Sequence, residues 1–214
     1  MDLPLQNRLK KRAHAELASL QDEVVDILYN VAPKAVFHGG TCIWRCYGGS
    51  RFSEDLDFYL ALGAFDAQSL KAALLARGLA LDKFKQTQNL MYAKISSGDV
   101  QVRLEINLAA MKSPVSRAYE KTDGAFMEVL ALSAEGLLAE KFAAYANRKL
   151  VRDIYDVFYL SRIAQADKET ATRISGFLKN PFAPADYKNL RAIVYAGTVP
   201  TYAQMLEALR GRFP

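Results

Sequence analysis

The chain has 214 residues, 51% hydrophobic and 24% charged, with a formal net charge of +5 at pH 7. That is an ordinary globular balance, in a length that suits one large domain or a core with a smaller lobe. Two cysteines, Cys42 and Cys46, exclude a framework of disulfides and lack the Cys/His company of a zinc site, and no apolar run approaches the roughly 20 residues that span a bilayer. Met1-Asp2-Leu3-Pro4 lacks the basic stretch and apolar core of a signal peptide, so a cytoplasmic protein with no membrane partner is expected. The positive charge is compatible with nucleic acid without identifying it.

Residues 5–30 read as a helix, because Leu9, Leu17, Leu20, Val24, Ile27 and Leu28 recur at helical spacing. Lys10, Lys11 and Arg12 fall on its solvated face, and Pro33 breaks it. Ala35 to His38 is a short strand, Gly39-Gly40 a turn, and Thr41 to Tyr47 a short helix ended by Gly48-Gly49-Ser50. Residues 55–60 form the next strand. A helix over 66–78 has Asp66 as its cap and Gly78 as its stop. Residues 80–86, 89–96 and 100–108 read as strands, with Ser96-Ser97-Gly98-Asp99 as the hairpin turn between the last two. Along the third of these, Val102, Leu104 and Ile106 face one side while Arg103, Glu105 and Asn107 face the other. Ser113-Pro114 marks a boundary. Beyond about 130 the pattern is helical, over 133–147, 151–163, 168–179, 187–195 and 201–210. The fold class expected is α+β, with a mixed-sheet lobe over 1–114 and a mainly helical lobe over 115–214.

Four groups of residues carry chemistry. Gly39-Gly40-Thr41 follows a strand and opens a helix, where the main chain can approach a phosphate closely. The run lacks the spacing of a P-loop. Asp55 and Asp57 lie two apart on a strand and point the same way, so they repel unless a cation sits between them. A divalent metal is the natural occupant, and it implies a phosphate substrate. Arg51 precedes Asp55 by four residues and can pair with it or with a phosphate, while Ser53 can cap or orient the turn. Glu105 is either a polar residue on an edge strand or a third carboxylate beside the first two. In the helical half, Lys141, Tyr145 and Arg148 can share a face. Arg152 and Asp156 are i,i+4 neighbours. They form either a surface ion ladder or a phosphate-binding set with Lys141 and Asp153. Trp44 reads as packing rather than base stacking.

The stretch His38-Gly39-Gly40-Thr41 through Glu54-Asp55-Leu56-Asp57-Phe58 resembles the first motif of the AbiEii toxin-family nucleotidyltransferases. Glu140-Lys141 and Arg152-Asp153-Ile154-Tyr155-Asp156 resemble the family's later motifs. The resemblance runs over roughly residues 36 to 160. It implies a DNA polymerase β-like nucleotidyltransferase fold with the NTP between two lobes. Gly39, Gly40, Thr41, Arg51, Ser53 and Lys141 would bind the nucleotide. Asp55 and Asp57, with Glu105, would hold magnesium or manganese. Lys141 matches the catalytic lysine, and Asp153 matches the late essential aspartate, with Asp156 the other candidate. The implied activity is transfer of a nucleoside monophosphate to the 3′ end of tRNA by the toxin of a toxin–antitoxin or phage-defence system. A cognate antitoxin is the implied partner. A protein hydroxyl as acceptor, or a nucleotide- or antitoxin-binding module without catalysis, are the alternatives. Cys42, Trp44 and Cys46 stand where the family usually has smaller or aliphatic residues.

Overall fold

The computed structural model describes residues 3–61, 63, 66–108 and 114–214. The chain divides into two compact units, Met1–Gly48 with Phe52–Leu132, and Gly49–Arg51 with Ser133–Pro214. Among the described residues, no helix is long and apolar enough to cross a membrane.

The first unit is built on a seven-stranded mixed sheet. Its strands are β1 (Val36–His38), β2 (Asp55–Leu60), β3 (Ala80–Gln86), β4 (Leu90–Ser97), β5 (Val100–Leu108), β6 (Pro114–Glu120) and β7 (Phe126–Leu132), in the spatial order β3-β4-β5-β2-β1-β7-β6. β2 lies parallel to β5 and antiparallel to β1, and β7 returns parallel to β1. In β2, Leu56, Phe58 and Leu60 are buried while Asp55, Asp57 and Tyr59 are half-buried. The alternation shows that one face of the strand makes core and the other carries polar groups.

The N-terminal helical pattern is interrupted in the structure. α1 (Leu5–Arg8) ends at Leu9, which is extended, and α2 (Arg12–Val31) begins three residues later. Periodicity does not reveal the break, because Leu5 and Leu9 are spaced as a helix would space them and both are buried. The first turn is held instead by Arg8 paired with Glu120 and by the Gln6 N–H donated to the Thr122 carbonyl. α3 (Gly39–Tyr47) follows β1, and Trp44 is buried in it with its ring 4.9 Å from that of Phe52. α4 (Ala67–Ala76) is capped by Asp66, whose carboxylate accepts from the Gln68 and Ser69 N–H groups.

Strands β6 and β7 fill a stretch to which the sequence pattern assigns no element. β6 is an edge strand with only Tyr119 fully buried, so its alternation is too weak to read. Pro114 begins it, a position that needs no ladder hydrogen bond. Ser113 lies outside the described residues.

The second unit is helical. Its elements are α5 (Ala134–Arg148), α6 (Val151–Leu160), α7 (Lys168–Lys179), a short 3₁₀ turn (Tyr187–Asn189) leading into α8 (Leu190–Ile193), and α9 (Tyr202–Arg210). Ser133, Asp167 and Thr201 cap α5, α7 and α9 with their side chains. Lys149 stops α5 in the left-handed region at φ +54 and so turns the chain sharply into α6. The segment 49–51 is stitched into this unit by the Tyr195 N–H to the Ser50 carbonyl, 3.1 Å, and by a β-bridge between Arg51 and Val194.

Candidate functional site

In the sheet unit, β2 places Asp55 opposite Arg103 and Asp57 opposite Glu105 on β5, and β1 places His38 opposite Asp57. Cross-strand neighbours share a face, so Asp55, Asp57 and Glu105 project on one side of the sheet. The other side is the core of Leu56, Phe58, Leu104 and Ile106. Burial, and then the charge of Asp57 beside it, push the Glu105 carboxyl above its ordinary value. His38 lies flat on Tyr59 of the same face, with ring centroids 3.9 Å apart.

The glycine turn abuts this face. Gly39 has φ +77, and a Cβ there would fall 2.2 Å from Oδ2 of Asp57. Only glycine allows both the conformation and the approach. Gly40 and Thr41 are buried behind it, and the Thr41 hydroxyl donates to the Asp55 carbonyl, tying the start of α3 to the start of β2. Ser53 is held by its main chain: Gln21 of α2 donates to the carbonyls of Ser53 and Glu54 at 3.0 and 2.9 Å.

Asp55 is engaged by Arg103, whose Nε and Nη2 donate to its two carboxylate oxygens at 2.6 and 2.9 Å. The side chains of this pair are 33% and 51% exposed, so it is worth no more than about 1 kcal/mol and yields easily to a stronger ligand. Among the described residues no three His, Cys, Asp or Glu side chains are yet gathered as a metal cluster. The donor set nonetheless fits a hard divalent cation: it is all carboxylate oxygen, placed in cross-strand register on one face.

The helical unit holds a cluster built on two buried carboxylates. Lys141 on α5 lies with its Nζ 3.2 Å from Oδ2 of Asp156 on α6. Arg51 grips the same carboxylate with both prongs, Nε to Oδ1 and Nη2 to Oδ2, each at 2.6 Å. Asp153, one turn earlier on α6 and fully buried, takes the fork of Arg148 at 2.6 and 2.7 Å. These pairs set three cations against two carboxylates. Burial pushes Asp156 up, but the charges of Arg51 and Lys141 and their hydrogen bonds outweigh it, and the carboxyl lies below its ordinary value.

Some expectations from the sequence change here. Arg51, read as a partner for Asp55 or for a phosphate, is found on Asp156. Asp156, read either as the partner of Arg152 on a surface ladder or as a candidate late aspartate, is 1% exposed and faces Arg51 and Lys141, while Arg152 is exposed. Arg103 was visible in the sequence as a polar-face residue of its strand. Its place opposite Asp55 depends on the β2–β5 register, which spacing within one strand does not encode.

The sequence matches the family described as nucleotidyl transferase AbiEii toxin, type IV TA system, over residues 26–194. None of the curated proteins compared with it matches. Among solved structures, JHP933 from Helicobacter pylori is 20% identical, with 94% of this chain and 90% of that chain covered and a TM-score of 0.66. MenT4, nucleotidyltransferase toxin Rv2826c from Mycobacterium tuberculosis H37Rv, is 18% identical over 94% of this chain and 82% of that chain, with a TM-score of 0.59. At such identities the likeness is one of fold, and the fold with the family match defines a nucleotidyltransferase. The chain belongs to the AbiEii nucleotidyltransferase toxin family, whose matched span takes in every residue from Gly39 to Asp156 discussed above.

Proposed function

We propose that this nucleotidyltransferase moves a nucleoside monophosphate from an NTP to the 3′ end of tRNA, acting in the cytoplasm as the toxin of a toxin–antitoxin or phage-defence system with a cognate antitoxin. The observation that carries the reading is the placement of Asp55 and Asp57 on one face of β2, with Glu105 in register and Gly39 against Asp57. A nucleotide transferase needs carboxylates in that relation, and a simple binding module gains nothing from their repulsion.

Asp55 and Asp57, with Glu105, would hold magnesium or manganese. When bound, the ion would neutralise the triphosphate and lower the pKa of the attacking hydroxyl. The turn of Gly39, Gly40 and Thr41, tied to β2 by the Thr41 hydroxyl on the Asp55 carbonyl, receives the triphosphate. The acceptor hydroxyl oxygen bonds to the α-phosphorus, the bond to the bridging oxygen breaks, pyrophosphate leaves, and the hydroxyl proton passes to solvent. Lys141 is the residue that the family resemblance makes the catalytic lysine, and such an ammonium would answer charge that develops on the phosphoryl oxygens. Arg51 has its fork on Asp156 and fixes that carboxylate against Lys141. Asp156 positions Lys141 and Arg51, and Asp153 positions Arg148. The late aspartates thus act through the cations they hold.

Incubation with each α-labelled NTP, magnesium and total RNA tests this. Label on RNA is expected, lost in Asp57→Ala and Lys141→Ala. Label on protein instead identifies a hydroxyl side chain as the acceptor. Nucleotide binding without any transfer identifies a non-catalytic module.

A further inference from the structure

Strand register builds a row of cations that ends at Asp55. Lys83 on β3 lies opposite Lys94 on β4, Lys94 lies opposite Arg103 on β5, and Arg103 lies opposite Asp55 on β2. The next row on the same face, two residues along each strand, runs Lys85, Tyr92, Glu105, Asp57. Lys83 and Lys85 are exposed, Lys94 and Tyr92 half-buried. The Lys83 ammonium stands 5.8 Å from the centre of the Tyr92 ring. With strands about 4.8 Å apart, the row from Lys83 to Asp55 spans about 14 Å, long enough for a few consecutive phosphates. Where it meets Asp55, a cavity of about 430 Å³ opens, lined by Leu17, Glu54, Asp55, Tyr92, Lys94 and Arg103 among others.

Like charges placed directly opposite each other weaken a sheet. Lysines on the edge strand β3 also discourage edge-to-edge pairing, which accounts for Lys83 and Lys85. It does not account for Lys94, which sits on an interior strand beside the Arg103 held on Asp55. Position decides between the two substrates. The glycine turn leaves β1 on one flank of β2, and the cationic row lies on the other flank, across β5, β4 and β3. An in-line displacement needs donor and acceptor on opposite sides of the reacting phosphorus.

We propose that the Lys83–Lys94–Arg103 row, with Tyr92 as a stacking platform, binds the phosphates and an unstacked base of the single-stranded 3′ end of the acceptor RNA and feeds it toward Asp55. The inference rests on RNA being the acceptor, as read above. Three cations in line with one aromatic ring suit a single strand, whose backbone is read by charge and whose bases stack without regard to sequence.

The test measures binding of a short fluorescein-labelled single-stranded RNA and of deacylated tRNA by anisotropy across a salt series. Transfer kinetics are measured on the same proteins. In Lys83→Gln/Lys94→Gln the slope of log K against log salt is expected to fall by about 1.4, at about 0.7 per lost phosphate contact. The KM for RNA rises while the KM for NTP stays unchanged. Tyr92→Leu is expected to weaken binding by roughly tenfold or more with the slope intact, as loss of one stacked base does. Unchanged NTP binding and an unchanged thermal melt report that the sheet is whole. Transfer to RNA with the wild-type salt slope in the double lysine variant overturns the assignment while leaving the proposed activity standing. Transfer to protein, with no RNA binding by the wild-type chain, overturns both. Equal binding of duplex DNA of the same length, with the same loss of slope, overturns it in favour of an unspecific polyanion surface.

Discussion

Asp156 keeps its charge inside the helical unit because Arg51 and Lys141 both face it. Removing one side of such a buried cluster is far more damaging than its net contribution suggests, since the remaining charges stay buried without compensation. Asp156→Asn is therefore expected to lower stability by about 3–5 kcal/mol in urea unfolding. The pH dependence has a definite sign. The folded carboxyl lies below its ordinary value, so its stabilisation is complete above the unfolded value near 4 and is lost as pH falls through the folded value. Wild-type stability should decline in acid, and the decline should be shallower in Asp156→Asn. Gly39 is the second residue on which the site depends. Gly39→Ala meets a left-handed backbone, which costs about 1–2 kcal/mol, and a collision with the Asp57 carboxylate. A lower thermal midpoint is expected, together with a transfer rate down roughly 100-fold from the displaced carboxylate.

Between elements, the sheet unit is tied by one buried carboxylate. Asp22 of α2 accepts from Arg45 of α3, from the Tyr119 hydroxyl of β6 at 2.9 Å, and from the Thr122 N–H and hydroxyl at 2.8 and 2.7 Å. The Arg45 guanidinium lies 4.8 Å from the Trp44 ring centre and 4.6 Å from that of Tyr119. Asp22→Ala leaves this arginine buried without its charge partner and should cost about 3–5 kcal/mol in denaturant titration. Tyr119→Phe removes a single hydrogen bond from the same carboxylate and should cost about 1 kcal/mol. The hub pins β6, a strand whose own burial pattern is weak. That weakness is also why the sequence hides it: a strand stabilised by its contacts to a helix carries little alternation of its own. β2 and β5 are the opposite case. Their alternation is plain in Asp55 to Leu60 and in Val102 to Ile106, and the faces it assigns are those observed.

At the scale of the whole chain, the division into units does not follow the order of residues. Gly49–Arg51 belongs with Ser133–Pro214, although the chain enters and leaves it within the sheet unit. A fragment of residues 133–214 therefore lacks Arg51 and leaves Asp156 with Lys141 alone. It should unfold without the sharp transition of the intact protein when followed by circular dichroism, and supplying the fragment at higher concentration should not restore it.

The sequence by itself determined the order of most elements, the facing of both carboxylates on β2, and the two motifs that mark the family, because each is written in the spacing of nearby residues. The tertiary structure alone decided that Arg103 stands on Asp55, that Arg51 reaches Asp156 across 105 positions, and that three strands align their lysines and arginine in one row. Those relations depend on register between strands and on burial, which arise when distant segments pack. Local periodicity carries no record of them.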